Sequence, residues 1–131
     1  MYRVGIKGSL PVRHYLRGDF GPESAPHGHE YVIEWSFTVS ELDQRGFAVD
    51  IAAMEKARDL VVGRCAGMTL NDHPFFSERQ TSIENAARFL LNELDAELDR
   101  LGFDRRRVTA AELAVWESPT AWASWRESYG G

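Results

Sequence analysis

The sequence predicts an α+β fold in the order β-β-α-α-β-β, a four-stranded antiparallel sheet with two helices on one of its faces. Three observations carry this reading. Hydrophobic residues alternate over residues 31–39, two segments in the middle of the chain space their apolar residues three and four apart, and two more alternating segments close it.

The elements follow in order. Tyr2, Val4 and Ile6 alternate with polar or small residues, and the pattern resumes after Pro11 over residues 12–16, so an opening strand broken at the proline is expected. A loop rich in glycine and proline spans residues 17–26. Tyr31, Ile33, Trp35, Phe37 and Val39 then take one parity and Glu34, Ser36 and Thr38 the other, which predicts a strand with one buried face. The loop joining these two strands is longer than a tight hairpin needs. Asp50 can cap a helix in which Ile51, Met54, Ala57, Val61 and Cys65 share a side, ending near Gly67. Thr81 followed by Glu84 reads as a capping box, and Ile83, Ala87, Leu90, Leu94, Leu98 and Leu101 trace one face as far as Gly102. Strands over residues 108–117 and 121–127 follow, joined by a turn of Ser118, Pro119 and Thr120.

At 131 residues the chain fits a single domain, residues 1–131. Hydrophobic residues make up 44% and charged residues 27%, and no apolar run approaches the roughly 18 residues of a membrane span. The segment opening with Met1 holds Arg3 and Lys7 among isolated apolar residues and lacks the core of a signal peptide, so a soluble, cytoplasmic protein with no membrane partner is expected. A net charge of −5 argues against a nucleic-acid partner, and Arg105, Arg106 and Arg107 read as the solvated start of a strand. The lone Cys65 falls in a helical pattern where a small buried hydrophobe is expected. Four tryptophans and several strands with only two helices leave one sheet face without a cover, which predicts a homo-oligomer.

The informative short motif is His27-Gly28-His29. Residues two apart on a strand point the same way with Cα atoms roughly 6.5 Å apart, so the two imidazoles can converge on one ion. The glycine leaves room on the opposite side, and His14, ending the preceding strand pattern, can add a third nitrogen across the sheet. Three histidines leave one coordination position open, the arrangement that catalytic zinc prefers. Against this stands the ease with which a bare His-x-His arises by chance.

His14 within Val12-Arg13-His14-Tyr15-Leu16, then a loop, then His27-Gly28-His29 before a long strand, resembles the 6-pyruvoyl-tetrahydropterin synthase and 6-carboxytetrahydropterin synthase superfamily. The likeness extends over nearly the whole chain: residues 46–50 and the helix after them, Leu70-Asn71-Asp72, Thr81-Ser82-Ile83-Glu84-Asn85 and Val115-Trp116-Glu117-Ser118 resemble further signatures of that family. The resemblance implies a tunnelling fold whose subunits form barrels of sheet and commonly assemble as hexamers, with pockets between subunits. It implies zinc on His14, His27 and His29, and a pterin-like ligand whose amino-pyrimidine edge is gripped by Glu117, since a carboxylate accepts two parallel N–H donors. Ser82 falls where the family has a threonine near the ring, with Thr81 beside it; both residues also read as helix caps, and Glu117 also reads as a solvated strand end.

The chain departs from the family pattern at two places. Members that eliminate triphosphate from 7,8-dihydroneopterin triphosphate carry a cysteine base four residues before the first histidine of the His-Gly-His motif, where this chain has Glu23. A carboxylate can also take a proton, which makes Glu23 the candidate base. In the branch that cleaves the side chain to give 6-hydroxymethyl-dihydropterin, the glutamate stands one residue nearer the histidines, where this chain has Ser24. The family's Asp-His pair falls at Ala66 and Gly67, neither of which transfers a proton; Asp72 and His73 are the nearest adjacent pair that can replace it. The expected function is therefore that of a pterin-binding homologue that does not catalyse the standard triphosphate elimination and acts on another pterin with Glu23 as base. A side-chain-cleaving lyase and a non-catalytic pterin-binding module are the alternatives.

Overall fold

The computed structural model describes residues 1–129, so the last two residues of the expected unit lie outside the described residues. Six elements follow one another: β1 (Tyr2–His14), β2 (His27–Val39), α1 (Ile51–Cys65), α2 (Ile83–Arg100), β3 (Val108–Trp116) and β4 (Trp122–Ser128). The strands form one antiparallel sheet in the order β1-β2-β3-β4, and both helices pack on one face of it. Alternation dictates that face. The buried residues Tyr31, Ile33, Trp35, Phe37 and Val39 of β2 meet Met54, Ala57 and Val61 of α1 and Leu90, Leu94 and Leu98 of α2.

β1 runs through Pro11 without the expected break. The Pro11 carbonyl points away from β2 and accepts a hydrogen bond from the Gly67 N–H at 2.7 Å. A strand residue aims its N–H and C=O to the same side, so the N–H that proline lacks would have faced the outer edge, and no bond to β2 is lost. β2 begins at His27, four residues before the hydrophobic alternation becomes evident, so the His-Gly-His motif lies inside the strand. Between β2 and β3 the ladder shifts register at Thr38 and Val39, where the extra residue Thr109 of β3 lets Val108 and Ala111 share the core face although they are three apart.

Asp50 caps α1 by accepting from the Ala53 N–H, and Gly67 (φ +77°) and Gly102 (φ +72°) take the left-handed conformation just beyond the two helices. The cap of α2 is displaced by one residue from the expected box. Ser82, not Thr81, is the N-cap and accepts from the Asn85 N–H at 3.2 Å. α2 also buries a wider stripe than its leucine spacing predicts, adding Ala86, Phe89 and Leu91, because it is flanked by α1 on one side and by β3 and β4 below.

The opposite sheet face is more polar than the expectation of a missing cover assumed. Arg3, Lys7, Glu34, Ser36, Glu112 and Arg126 share it, with Arg3–Glu112 and Lys7–Glu34 ion pairs at 3.5 and 4.0 Å. Its apolar part is confined to one end, where Val32 and the pair Trp116–Trp122, ring centroids 5.7 Å apart, remain partly exposed.

Candidate metal and ligand site

Sheet parity assembles the site. His14 pairs with His27 and Val12 with His29 across β1 and β2, so the three imidazoles continue the buried face of the sheet beyond its last apolar residues. Val32 pairs with Trp116, which puts Glu117 beside Tyr31 on that same face, following Leu113 and Val115. The N-terminus of α2 closes this end of the core with Ser82.

The imidazole ring centroids lie 4.4 to 5.0 Å apart, and one nitrogen from each comes within 4.8 Å of the others. Two rings are fixed from behind. His14 Nδ1 lies 2.8 Å from the Thr81 carbonyl oxygen and 3.1 Å from Thr81 Oγ1; a carbonyl can only accept, so Nδ1 carries the proton and Nε2 keeps its lone pair. His27 Nδ1 donates in the same way to the Ala25 carbonyl at 2.8 Å. His14 is 3% exposed, yet its Nε2 has no hydrogen-bond partner among the described residues. Burial holds the His14 imidazole below its usual pKa, outweighing the opposite influence of the Thr81 bond. A neutral imidazole with one nitrogen anchored and the other buried and unpaired is a prepared metal ligand, so the donor set fits an ion such as zinc and the triad can hold a metal.

The histidines face a cavity of about 250 Å³ lined by His14, His29, Phe20, Glu23, Ser82 and Glu117, together with Leu16, Gln80, Ile83 and Glu84. Glu23 sits in a short 3-10 turn, Gly21–Ser24, and its charge acts on His14. The neighbouring Ser24 faces inward on its own loop instead: its hydroxyl donates to the Gly18 carbonyl at 2.7 Å and accepts from the Phe20 N–H at 2.9 Å. A larger cavity of about 640 Å³ at the far end of the sheet, bounded by Phe47, Ile51 and Phe103, lies away from the histidines and their chemistry.

Other expected residues are placed differently. Thr81 is fully buried and lies behind His14, its hydroxyl donating to the Tyr15 carbonyl at 3.0 Å, so it faces the ligand only through the imidazole it holds. Asp72 and His73 do not line the cavity. His73 Nδ1 accepts from the Phe75 N–H at 3.1 Å, and its ring packs edge-on to Phe89 with centroids 4.6 Å apart. Gly28 has no steric duty, because a Cβ there would meet the Val12 carbonyl at 3.5 Å and Arg13 Nη1 at 3.6 Å, ordinary contacts.

Several residues that shape the site were not singled out for it in the sequence, although Asn71 lies in the Leu70-Asn71-Asp72 signature and Tyr31 in the alternating strand. The side-chain amide of Asn71 bonds both backbone groups of Tyr15, and that of Gln80 does the same for Arg17, so two loop amides extend the strand pairing past His14 and hold that wall in place. Tyr31 stacks under His29, centroids 5.8 Å apart, with its hydroxyl buried and unpaired. Burial, helped by the charge of Glu117, raises that phenol well above its usual range.

A four-stranded meander backed by two helices, with a metal-competent histidine triad at one end, defines a T-fold protein. The chain belongs to the 6-pyruvoyl tetrahydropterin synthase family, whose family model matches residues 4–128. It is 31% identical over 127 residues to the 6-carboxy-5,6,7,8-tetrahydropterin synthase of Bacillus subtilis, covering 93% of this chain and 83% of that one. The structure superposes on 6-pyruvoyl tetrahydropterin synthase from Caenorhabditis elegans with a TM-score of 0.80 and 20% identity, covering 97% of this chain and 96% of that one. A catalytic-residue mutant of the Plasmodium vivax synthase gives a TM-score of 0.80 at 17% identity, covering 98% of each chain. At those identities the two structures establish the fold.

Proposed function

We propose that this single-domain protein binds a reduced pterin at the histidine cavity, with Glu117 gripping the amino-pyrimidine edge and zinc held by His14, His27 and His29. The observation that carries the reading is the convergence, on one cavity, of a buried unpaired imidazole nitrogen and a strand-end carboxylate. Bound zinc supplies Lewis-acid polarisation of a ligand oxygen. The chain's own groups do the rest. Glu117 orients the ring, Thr81 and Ala25 fix the imidazoles, and Ser82 offers a hydroxyl at the α2 terminus.

Glu23 is the candidate base, on the cavity wall beside the histidines. The residue altered in the Plasmodium vivax catalytic mutant is a glutamate, which supports a carboxylate in that role; side-chain cleavage to 6-hydroxymethyl-dihydropterin is the second reading that the family resemblance offers. The standard triphosphate elimination is not proposed, because Ala66 and Gly67 offer no proton-transferring group and Asp72 and His73 are not among the residues that line the cavity.

A cavity of about 250 Å³ is smaller than the roughly 300–1,000 Å³ typical of ligand pockets, and the outer edge of β4 has no strand partner among the described residues. Both features support a homo-oligomer, a hexamer in the resemblance, whose second copy completes the pocket. The test of the ligand assignment is a fluorescence titration with 7,8-dihydroneopterin. Glu117→Ala should weaken binding roughly ten- to a hundredfold through loss of charge-assisted hydrogen bonds; an unchanged affinity would remove Glu117 from the site.

A further inference from the structure

Taking the pterin reading as given, we propose that Phe20 is the stacking face of the pocket, the side chain that recognises the flat bicyclic ring by its plane while Glu117 recognises it by its edge. Phe20 lines the cavity with His14, His29 and Glu117, and it is 51% exposed. Hydrogen bonds along one edge hold a planar ring within its own plane but leave it free to tilt. An aromatic side chain laid against the ring removes that freedom.

The loop presents this ring in a defined position. Ser24 Oγ accepts from the Phe20 N–H at 2.9 Å and donates to the Gly18 carbonyl at 2.7 Å, so residues 18–24 close into a small hydrogen-bonded turn. The Leu16 N–H donates to the Glu23 carbonyl at 2.8 Å, and the Gln80 amide bonds both backbone groups of Arg17 at 2.9 Å, which ties the loop to the wall where it begins. Gly18 (φ +122°) backs the ring. A Cβ there would stand 2.8 Å from Phe20 Cε2 and 3.4 Å from Cδ2, so a side chain at residue 18 would push the phenyl group aside. One side of the ring therefore packs on backbone, and its exposed part borders the cavity.

The other groups of the wall are suited to different duties. Leu16 and Ile83 are aliphatic and can touch a ring without stacking on it, and the imidazoles of His14 and His29 are turned to the metal position. Phe20 is the aromatic face that the described wall leaves for a ligand. Its exposed apolar area is covered when a flat ring lies on it, and the preformed turn spares the ordering cost that a mobile loop would bring to binding.

The experiment titrates the zinc-loaded, assembled protein with 7,8-dihydroneopterin and compares wild type with Phe20→Leu and Phe20→Tyr. Leucine keeps an apolar side chain but has no ring face, so Phe20→Leu should weaken binding roughly three- to thirtyfold. Phe20→Tyr keeps the face and should stay within about twofold of wild type. Zinc content and the assembly seen by light scattering should be the same in all three proteins. Unchanged affinity in Phe20→Leu would overturn the proposal, and so would a Phe20→Tyr variant as weak as Phe20→Leu, which would mean that the site reads volume and not a ring face. A loss of affinity that follows a loss of assembly would also overturn it, by assigning the ring to a contact between copies. Glu117→Ala separates this inference from the reading beneath it: if that variant weakens binding and Phe20→Leu does not, stacking alone fails, whereas a wild type that binds no 7,8-dihydroneopterin overturns the pterin reading and this inference with it.

Discussion

His14 links the buried core to the site. Its Nδ1 is committed to Thr81 and its Nε2 has no partner among the described residues, so the ring is oriented before any ion arrives. Zinc-supplemented wild-type protein should retain about one equivalent of zinc by elemental analysis. A His27→Ala, His29→Ala double variant should retain none, and equal zinc in both would reject the triad. Burial also ties His14 to pH. Its pKa in the folded state lies below the ordinary 6.5, so the unfolded chain binds the proton more readily. The metal-free protein therefore keeps this contribution above the unfolded value and loses it as pH falls below about 6.5 towards the folded one. Urea midpoints at about pH 7.5 and about pH 5.5 should fall further in wild type than in His14→Gln; equal falls would contradict the assignment. The histidines were legible because strand parity projects His27 and His29 to one face, whereas Glu117 was named only through the family resemblance. The anchoring of His14 by Thr81 was not legible, since it runs mainly through a backbone carbonyl 67 residues away in the chain.

At the scale of elements, the helices and the central strand were readable from period alone, while their ends were decided by local hydrogen bonding. Thr81 and Ser82 are both good caps on paper, and the structure selects Ser82 because Thr81 is drawn behind His14. Ser82→Ala should cost about 0.5–2 kcal/mol in chemical denaturation, the usual range for losing an N-cap. A loss well beyond that range would indicate that the hydroxyl does more than cap. Leu94, fully buried on α2, should cost about 2–5 kcal/mol when cut to alanine, because the layer between helix and sheet cannot collapse around the lost volume. Pro11 misled the sequence reading because the side to which its missing N–H would point depends on which neighbour β1 has, and composition does not report that. The register shift at Thr38 and Val39 was hidden because the extra residue, Thr109, and its neighbour Ala110 suit either parity.

For the whole molecule, the open edge of β4 and the small cavity lead to the same expectation. Light scattering should report an assembly of several chains, and dilution to the monomer should weaken pterin binding in parallel; a monomer that binds fully would contradict the shared pocket. The sequence anticipated an uncovered sheet face, but that face carries charged pairs, so the proposed assembly would rest instead on the open edge of β4 and the Val32, Trp116 and Trp122 end. The charge pattern of the pocket was not readable in advance, because Glu84 and Glu117 lie 33 positions apart and only the fold puts them on one wall.

The central claim is that the histidine triad and Glu117 belong to one ligand site, and linkage tests it directly. 7,8-Dihydroneopterin should be titrated into zinc-loaded protein and into the same preparation stripped by a chelator. Ion and ligand sharing a cavity should be coupled, so stripping should weaken binding at least tenfold, and the pterin should in turn slow the loss of zinc to the chelator. Equal affinity in the two preparations would contradict a shared site and separate the metal centre from the pterin pocket.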